Sequence, residues 1–175
     1  MGKELTEVLC GYGRGKTALA IGQSIRAATQ GKSAIIIQFL KGRERRALDF
    51  LQDLDNLDIR IFRFEKHMRS FEDLNEQERE EESSNIVNAM NYARKVIATG
   101  GCDFLVLDEI LGIIEYGIVS VEAIVDVLKM KEDSMHIVMT GRVLPDGLLP
   151  YVDSVTTLTT NDLTDEVKKS TITED

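Results

Sequence analysis

The segment Cys10-Gly11-Tyr12-Gly13-Arg14-Gly15-Lys16-Thr17 restricts the fold more than any other part of the chain. It follows the short apolar run Val8-Leu9-Cys10 and opens an Ala- and Ile-rich helical pattern over residues 18–28. Strand, glycine turn, Lys-Thr and helix is the context a phosphate-binding loop requires. Small residues let backbone N–H groups turn inward around an anion. The new helix aims the positive end of its dipole at the same point. Lys16 adds a mobile ammonium for outer phosphates, and the Thr17 hydroxyl suits Mg²⁺. The expected nucleotide contacts are Gly11, Tyr12, Gly13, Arg14, Gly15, Lys16, Thr17 and Ala18. One departure stands out: the usual pattern begins with Gly, and here that place is Cys10. A plain glycine turn is the simpler reading, but three closely spaced glycines running into Lys-Thr argue against it.

The rest of the chain alternates strand and helix patterns. Strands are expected over 5–10, 33–40, 58–64, 103–107, 136–139 and 153–159, and helices over 17–29, 44–54, 76–98 and 121–130. Residues 65–75 have no clear period and read as a loop. The near-continuous apolar run at 34–40 suits a strand buried on both faces of a parallel sheet. The long helix is acidic at its start and ends in Arg94-Lys95, which suits the helix dipole. The pattern predicts an α/β fold, P-loop NTPase-like (RecA-like), with a mainly parallel sheet flanked by helices on both faces. Residues 1–160 are expected to form one domain and 161–175 a polar tail.

Composition narrows the partners. The net charge of −9 over 175 residues argues against broad capture of nucleic acid. A basic cluster at 41–46 could still steer an anionic ligand. Two isolated cysteines give no zinc or disulfide framework, so a reducing, cytoplasmic compartment is expected. No signal peptide or bilayer-spanning stretch is read.

In parallel sheets ligands bind beyond the carboxyl ends of the strands, and every distinctive polar motif here follows a predicted strand. Asp108-Glu109 ends the run Phe104-Leu105-Val106-Leu107. A carboxylate there can face Thr17 and hold Mg²⁺, directly or through water. Spacing does not decide between Asp108 and Glu109, and an acidic helix cap is the plainer alternative. In Gln38-Phe39-Leu40-Lys41-Gly42, Lys41 could reach a phosphate and Gln38 could hydrogen-bond near the nucleotide; the alternative is a strand end and a solvated turn. Thr140-Gly141-Arg142 places Arg142 either against a triphosphate or in a surface ion pair. His136 reads as a sheet residue, and His67 lies in the irregular loop with Met68 and Phe71. No Ser/His/Asp or Cys/His arrangement suggests acyl transfer.

Together these motifs resemble the P-loop type of ATP:corrinoid (cob(I)alamin) adenosyltransferase. The resemblance rests on Gly11 to Thr17, Gln38 to Gly42, Leu107-Asp108-Glu109 and Thr140-Gly141-Arg142, and extends over roughly residues 5–158. The family loop, Gly-Asn-Gly-Lys-Gly-Lys-Thr-Thr, shares the missing early glycine. The resemblance implies transfer of the 5′-deoxyadenosyl group of Mg-ATP to a reduced corrinoid, with triphosphate leaving. It implies catalytic roles for Lys16, Thr17 and Glu109, and Mg²⁺ on Thr17 with Asp108 or Glu109. It further implies a cytoplasmic homodimer served by a flavoprotein reductant, with no nucleic acid or membrane partner.

The chain departs from the family in four places, one being Tyr12 and Arg14 where the family loop commonly has Asn and Lys. The family's Gly-Phe-x-Trp segment, which faces the corrinoid, has no counterpart, because the chain has no Trp. Its loop offers Phe71, with His67 and Met68, as the corrinoid contacts. The family's His-Pro-Tyr and Gly-Ile-Glu segments are not matched within 161–175, and an N-terminal extension over the site is not expected. Two alternatives therefore stand: a diverged, catalytically weak ATP- or corrinoid-binding protein, and a P-loop kinase or ATPase.

Overall fold

The computed structural model of the protein describes residues 4–40 and 48–162. Six strands, β1 (Thr6–Cys10), β2 (Ala34–Gln38), β3 (Ile59–Arg63), β4 (Phe104–Asp108), β5 (His136–Thr140) and β6 (Ser154–Thr157), form one sheet in the order β3-β2-β4-β5-β1-β6. Every pairing is parallel. All the strands therefore end on one edge, and the motifs that follow them meet there. β2 and β4 lie side by side in the interior of the sheet, and every residue of each is buried. That explains why both read as continuous apolar runs rather than as alternations.

Each face of the sheet carries its own core. On one face, α1 (Lys16–Thr29) packs Ala20, Ile21, Ala27 and Ala28 against Leu9, Ile36, Val106 and Val138. On the other lie α2 (Glu76–Ala98), α3 (Ile110–Glu115) and α4 (Val121–Leu128). Their Ile86, Ala93, Ile97, Ile113, Ile124 and Val127 join Ile35, Ile37, Leu105 and Ile137. Helix α2 begins with a full capping box: Asn75 Oδ1 accepts from the Glu78 N–H at 2.9 Å, and Glu78 Oε2 accepts from the Asn75 N–H at 3.0 Å. Two otherwise orphaned amides are thus satisfied reciprocally, which fixes where the helix starts.

Some expectations need correction. The helix expected over 44–54 lies partly outside the described residues; its described part is a 3-10 helix, Asp49–Asp53, which buries Leu51. The loop at 65–75 contains one 3-10 turn, Phe71–Asp73. The last strand is shorter than the expected 153–159, because the chain leaves the sheet after Thr157 to cross the glycine loop. Helix α3 and a 3-10 helix at Asp146–Tyr151 were not expected. Lys41, the basic cluster at 41–46 and most of the tail, 163–175, lie outside the described residues.

Candidate functional site

The glycine loop bridges β1 and α1 and rests against the segment that follows β6. Gly13 N–H donates to Leu158 O at 2.9 Å, Leu158 N–H to Cys10 O at 2.8 Å, and Arg14 N–H to Thr160 Oγ1 at 2.8 Å. The fit leaves no room for side chains. A Cβ on Gly11 would lie 2.4 Å from Leu158 O, and one on Gly13 would lie 2.6 Å from the Leu158 carbonyl. Gly11 and Gly15 also take φ of +100°, where L side chains are strained. Lys16 folds back over the loop: its Nζ donates to Gly11 O at 2.7 Å and to Gly13 O at 2.8 Å. The ammonium is thus held by two loop carbonyls through charge-assisted hydrogen bonds. Tyr12, Arg14 and Ala18 are exposed, and Arg14 pairs with Asp162.

Behind α1 lies Asp108, with no solvent exposure at all. Thr17 Oγ1 donates to its Oδ1 at 2.9 Å and approaches Oδ2 at 3.2 Å. Thr140 Oγ1 donates to Oδ1 at 2.7 Å, and Gln38 Nε2 to Oδ2 at 3.1 Å. Burying a carboxylate is costly unless such donors surround it. Thr140 Oγ1 in turn accepts from the Glu109 N–H at 2.8 Å. Glu109 holds φ 63°, ψ 22°, a left-handed conformation that costs about 1–2 kcal/mol for a residue other than Gly. Such strain gathers at sites where geometry matters. The turn also starts α3 directly from the end of β4.

Gly141 explains the middle of the Thr-Gly-Arg motif. A Cβ there would lie 2.3 Å from Leu111 Cβ, so only Gly lets α3 pack against the end of β5. The next residue, Arg142, lines a cleft of about 240 Å³ with Leu40, Phe71, Glu72, Glu109 and Tyr116. Arg142 O also accepts from the Gly11 N–H at 2.8 Å, which ties the cleft to the glycine loop. Phe71 and Tyr116 pack with ring centroids 4.9 Å apart, and Tyr116 donates its hydroxyl to Glu72 Oε1 at 2.6 Å. Burial first, and the Glu72 carboxylate second, push the Tyr116 hydroxyl up to about 12. Tyr116 therefore serves as a hydrogen-bond donor throughout the ordinary pH range.

Oxygen donors from Thr17, Asp108 and Glu109 match the preference of a hard cation such as Mg²⁺. No group of three or more His, Cys, Asp or Glu among the described residues could hold a metal.

The chain matches the family model described as ATP:corrinoid adenosyltransferase BtuR/CobO/CobP over residues 2–168. The chain belongs to this family. Membership makes the protein a transferase whose family implies ATP and a corrinoid as substrates. The corrinoid adenosyltransferase of Escherichia coli (strain K12) is 25% identical over 151 residues, covering 86% of this chain and 74% of the relative. Corrinoid adenosyltransferase CobA of Salmonella typhimurium is 24% identical over the same length, with the same coverage. Among solved structures, the KaiC-like protein PH0186 of Pyrococcus horikoshii OT3 aligns with a TM-score of 0.53 at 17% identity, over 87% of this chain and 70% of that one. That likeness concerns the P-loop fold alone.

The expected site residues separate into groups. Gly11, Gly13, Lys16, Thr17 and Asp108 converge at the loop, while Glu109, Arg142 and Phe71 converge at the cleft. His67 turns toward α2, with Nε2 3.8 Å from Glu81 and 3.9 Å from Glu82, and Met68 is exposed on the surface. Sequence reasoning missed Leu158 and Thr160, which supply backbone and hydroxyl partners no motif records. It also missed Tyr116 and Glu72, which meet only in three dimensions.

Proposed function

We propose that the protein transfers the 5′-deoxyadenosyl group of Mg-ATP to the cobalt(I) of a reduced corrinoid and releases inorganic triphosphate. The cobalt(I) electron pair forms the bond to the ribose 5′ carbon. The carbon–oxygen bond to the triphosphate breaks, its electron pair leaves with the oxygen, and cobalt ends formally as cobalt(III). No proton moves in this step, so the protein needs no general acid or base. Its tasks are to orient the 5′ carbon and to stabilise the departing negative charge.

Lys16 and the amides opening α1 fit the triphosphate, and Arg142 adds a guanidinium beside it. Thr17, with Asp108 behind it and Glu109 at the cleft, would hold Mg²⁺, which when bound neutralises polyphosphate charge. Phe71 and Tyr116 present an aromatic wall on which a corrin edge could rest. The single observation that carries this reading is Arg142. Its carbonyl accepts from the Gly11 N–H of the glycine loop while the residue lines the aromatic cleft, an arrangement that supports adjoining places for the leaving group and the acceptor. Family resemblance alone supports a cytoplasmic homodimer served by a flavoprotein reductant.

Mixing the protein with Mg-ATP and chemically reduced cobalamin tests the proposal. Conversion of the cobalt(I) spectrum to the adenosyl form is expected. ATP binding without conversion would favour the alternative of a nucleotide- or corrinoid-binding protein, which the missing Trp motivates.

A further inference from the structure

Four side chains stand in a row across four adjacent strands at the carboxyl edge. Gln38 is in register with Arg63 on one side and Asp108 on the other, and Thr140 follows the Leu107–Met139 pair as Asp108 does. They are bonded in sequence: Arg63 Nε donates to Gln38 Oε1 at 2.8 Å, Gln38 Nε2 to Asp108 Oδ2 at 3.1 Å, and Thr140 Oγ1 to Asp108 Oδ1 at 2.7 Å. We infer that Gln38, oriented by Arg63, and Thr140 are positioning residues that aim the Asp108 carboxylate at Thr17 and so set the affinity of the ATP site for its divalent cation. The inference rests on the Mg-ATP reading above.

The terminal torsions of Asp and Gln are broad, so neither side chain chooses one orientation unaided. Two donors of different chemistry, one on each oxygen, fix the plane of the Asp108 carboxylate. Each donor is itself fixed. Gln38 presents its NH₂ to Asp108 because the Arg63 guanidinium claims its oxygen. Thr140 has a single proton, and because its oxygen accepts the Glu109 N–H, that proton goes to Asp108. Its β-branched side chain adds a stiff χ1. Thr140 thus ties both candidate carboxylate residues of the Asp108-Glu109 pair to β5. Gln38 is 4% exposed and Thr140 0%, so water does not replace either donor.

The test uses Mn²⁺ as the probe, counted by the electron paramagnetic resonance of the free ion, with ATP present and no corrinoid. Thr140→Val and Gln38→Leu should weaken Mn²⁺ binding to the protein–ATP complex by about tenfold or more, the usual effect of removing a partner that orients a metal ligand. ATP binding in EDTA should change by less than about threefold, a split that a loss of packing alone would not produce. Thr140→Ser keeps the hydroxyl and should stay near wild type. Arg63→Gln, at the half-buried end of the row, keeps the test open should a core variant fail to fold, and should weaken Mn²⁺ by about threefold or more. Folded variants with wild-type Mn²⁺ affinity would overturn the inference alone. A wild-type protein that binds no Mn²⁺ with ATP would overturn the Mg-ATP reading and this inference with it.

Discussion

Gly13→Ala tests the packing of the phosphate loop at its tightest point. The added Cβ would sit 2.6 Å from the Leu158 carbonyl and 2.7 Å from Thr159 N, where ordinary contact begins at 3.4 Å. The obstacle is backbone on both sides, so no rotamer change relieves it. Either the loop or the 158–159 segment must move by roughly 0.8 Å, and the Gly13–Leu158 hydrogen bond of 2.9 Å is lost with that movement. Overpacking of this kind costs about 1–3 kcal/mol and the hydrogen bond about 1 kcal/mol more. For a chain of this size that corresponds to a melting point lower by roughly 5–15 °C. Gly22→Ala is the control: it lies within α1, nothing lies within 4 Å of its Cβ, and it should gain up to about 1 kcal/mol. Thermal unfolding followed by circular dichroism, with ATP titration of the same samples, reads both variants. Gly13→Ala should melt early and bind ATP weakly. If it melts and binds like wild type, the segment after β6 does not brace the loop and the reasoning fails.

Lys16→Ala removes the ammonium that holds the Gly11 and Gly13 carbonyls and should lower ATP affinity about 30-fold, or about 2 kcal/mol; unchanged affinity by calorimetry would refute its role. Asp103 clamps the starts of β2 and β4, accepting from Ser33 N–H and Oγ at 2.8 Å each, and the backbone bond chiefly holds its carboxyl below the ordinary 3.8. A depressed carboxyl stabilises above its unfolded pKa and loses that contribution as pH falls through its folded value. Asp103→Ala should therefore cost about 1 kcal/mol at pH 7 after allowance for solvent exposure, and the gap to wild type should close below about pH 4. A gap that stays constant to pH 3 in denaturant titrations would contradict this. Burial pushes the Cys102 thiol up to about 12, so aromatic disulfide reagents at pH 8 should label it only after unfolding. Rapid labelling of Cys102 in the native protein, identified by mass spectrometry, would count against its burial.

The sequence carried the fold where one physical signal dominated. Helix α2 was legible to the residue from its acidic first turn, its basic last turn and the glycines after Ala98, although the Asn75–Glu78 capping box that fixes its start was not read from the sequence. The buried strands β2 and β4 were legible as apolar runs bounded by polar motifs. Helix α3 was not. Its residues Ile110 to Glu115 are apolar on nearly every side, carry an internal Gly, and leave no helical period to detect. At the site, motif alone singled out residues that the fold brings close: Lys16 caps the loop carbonyls, Thr17 bonds Asp108, and Arg142 lines the cleft. Spacing could not show that Asp108 lies buried against Thr17 while Glu109, in a left-handed turn, lines the cleft. Nor could a motif reveal Leu158, whose contribution is a backbone carbonyl.

Phosphorus NMR of the ATP-derived product addresses the central claim most directly, because attack at the 5′ carbon and attack at phosphorus leave different fragments. With Mg-ATP and chemically reduced cobalamin, the protein should yield one inorganic triphosphate for each adenosylated corrinoid. Release of ADP and orthophosphate instead, with the cobalt spectrum unchanged, would make the protein a P-loop ATPase or kinase and contradict the account.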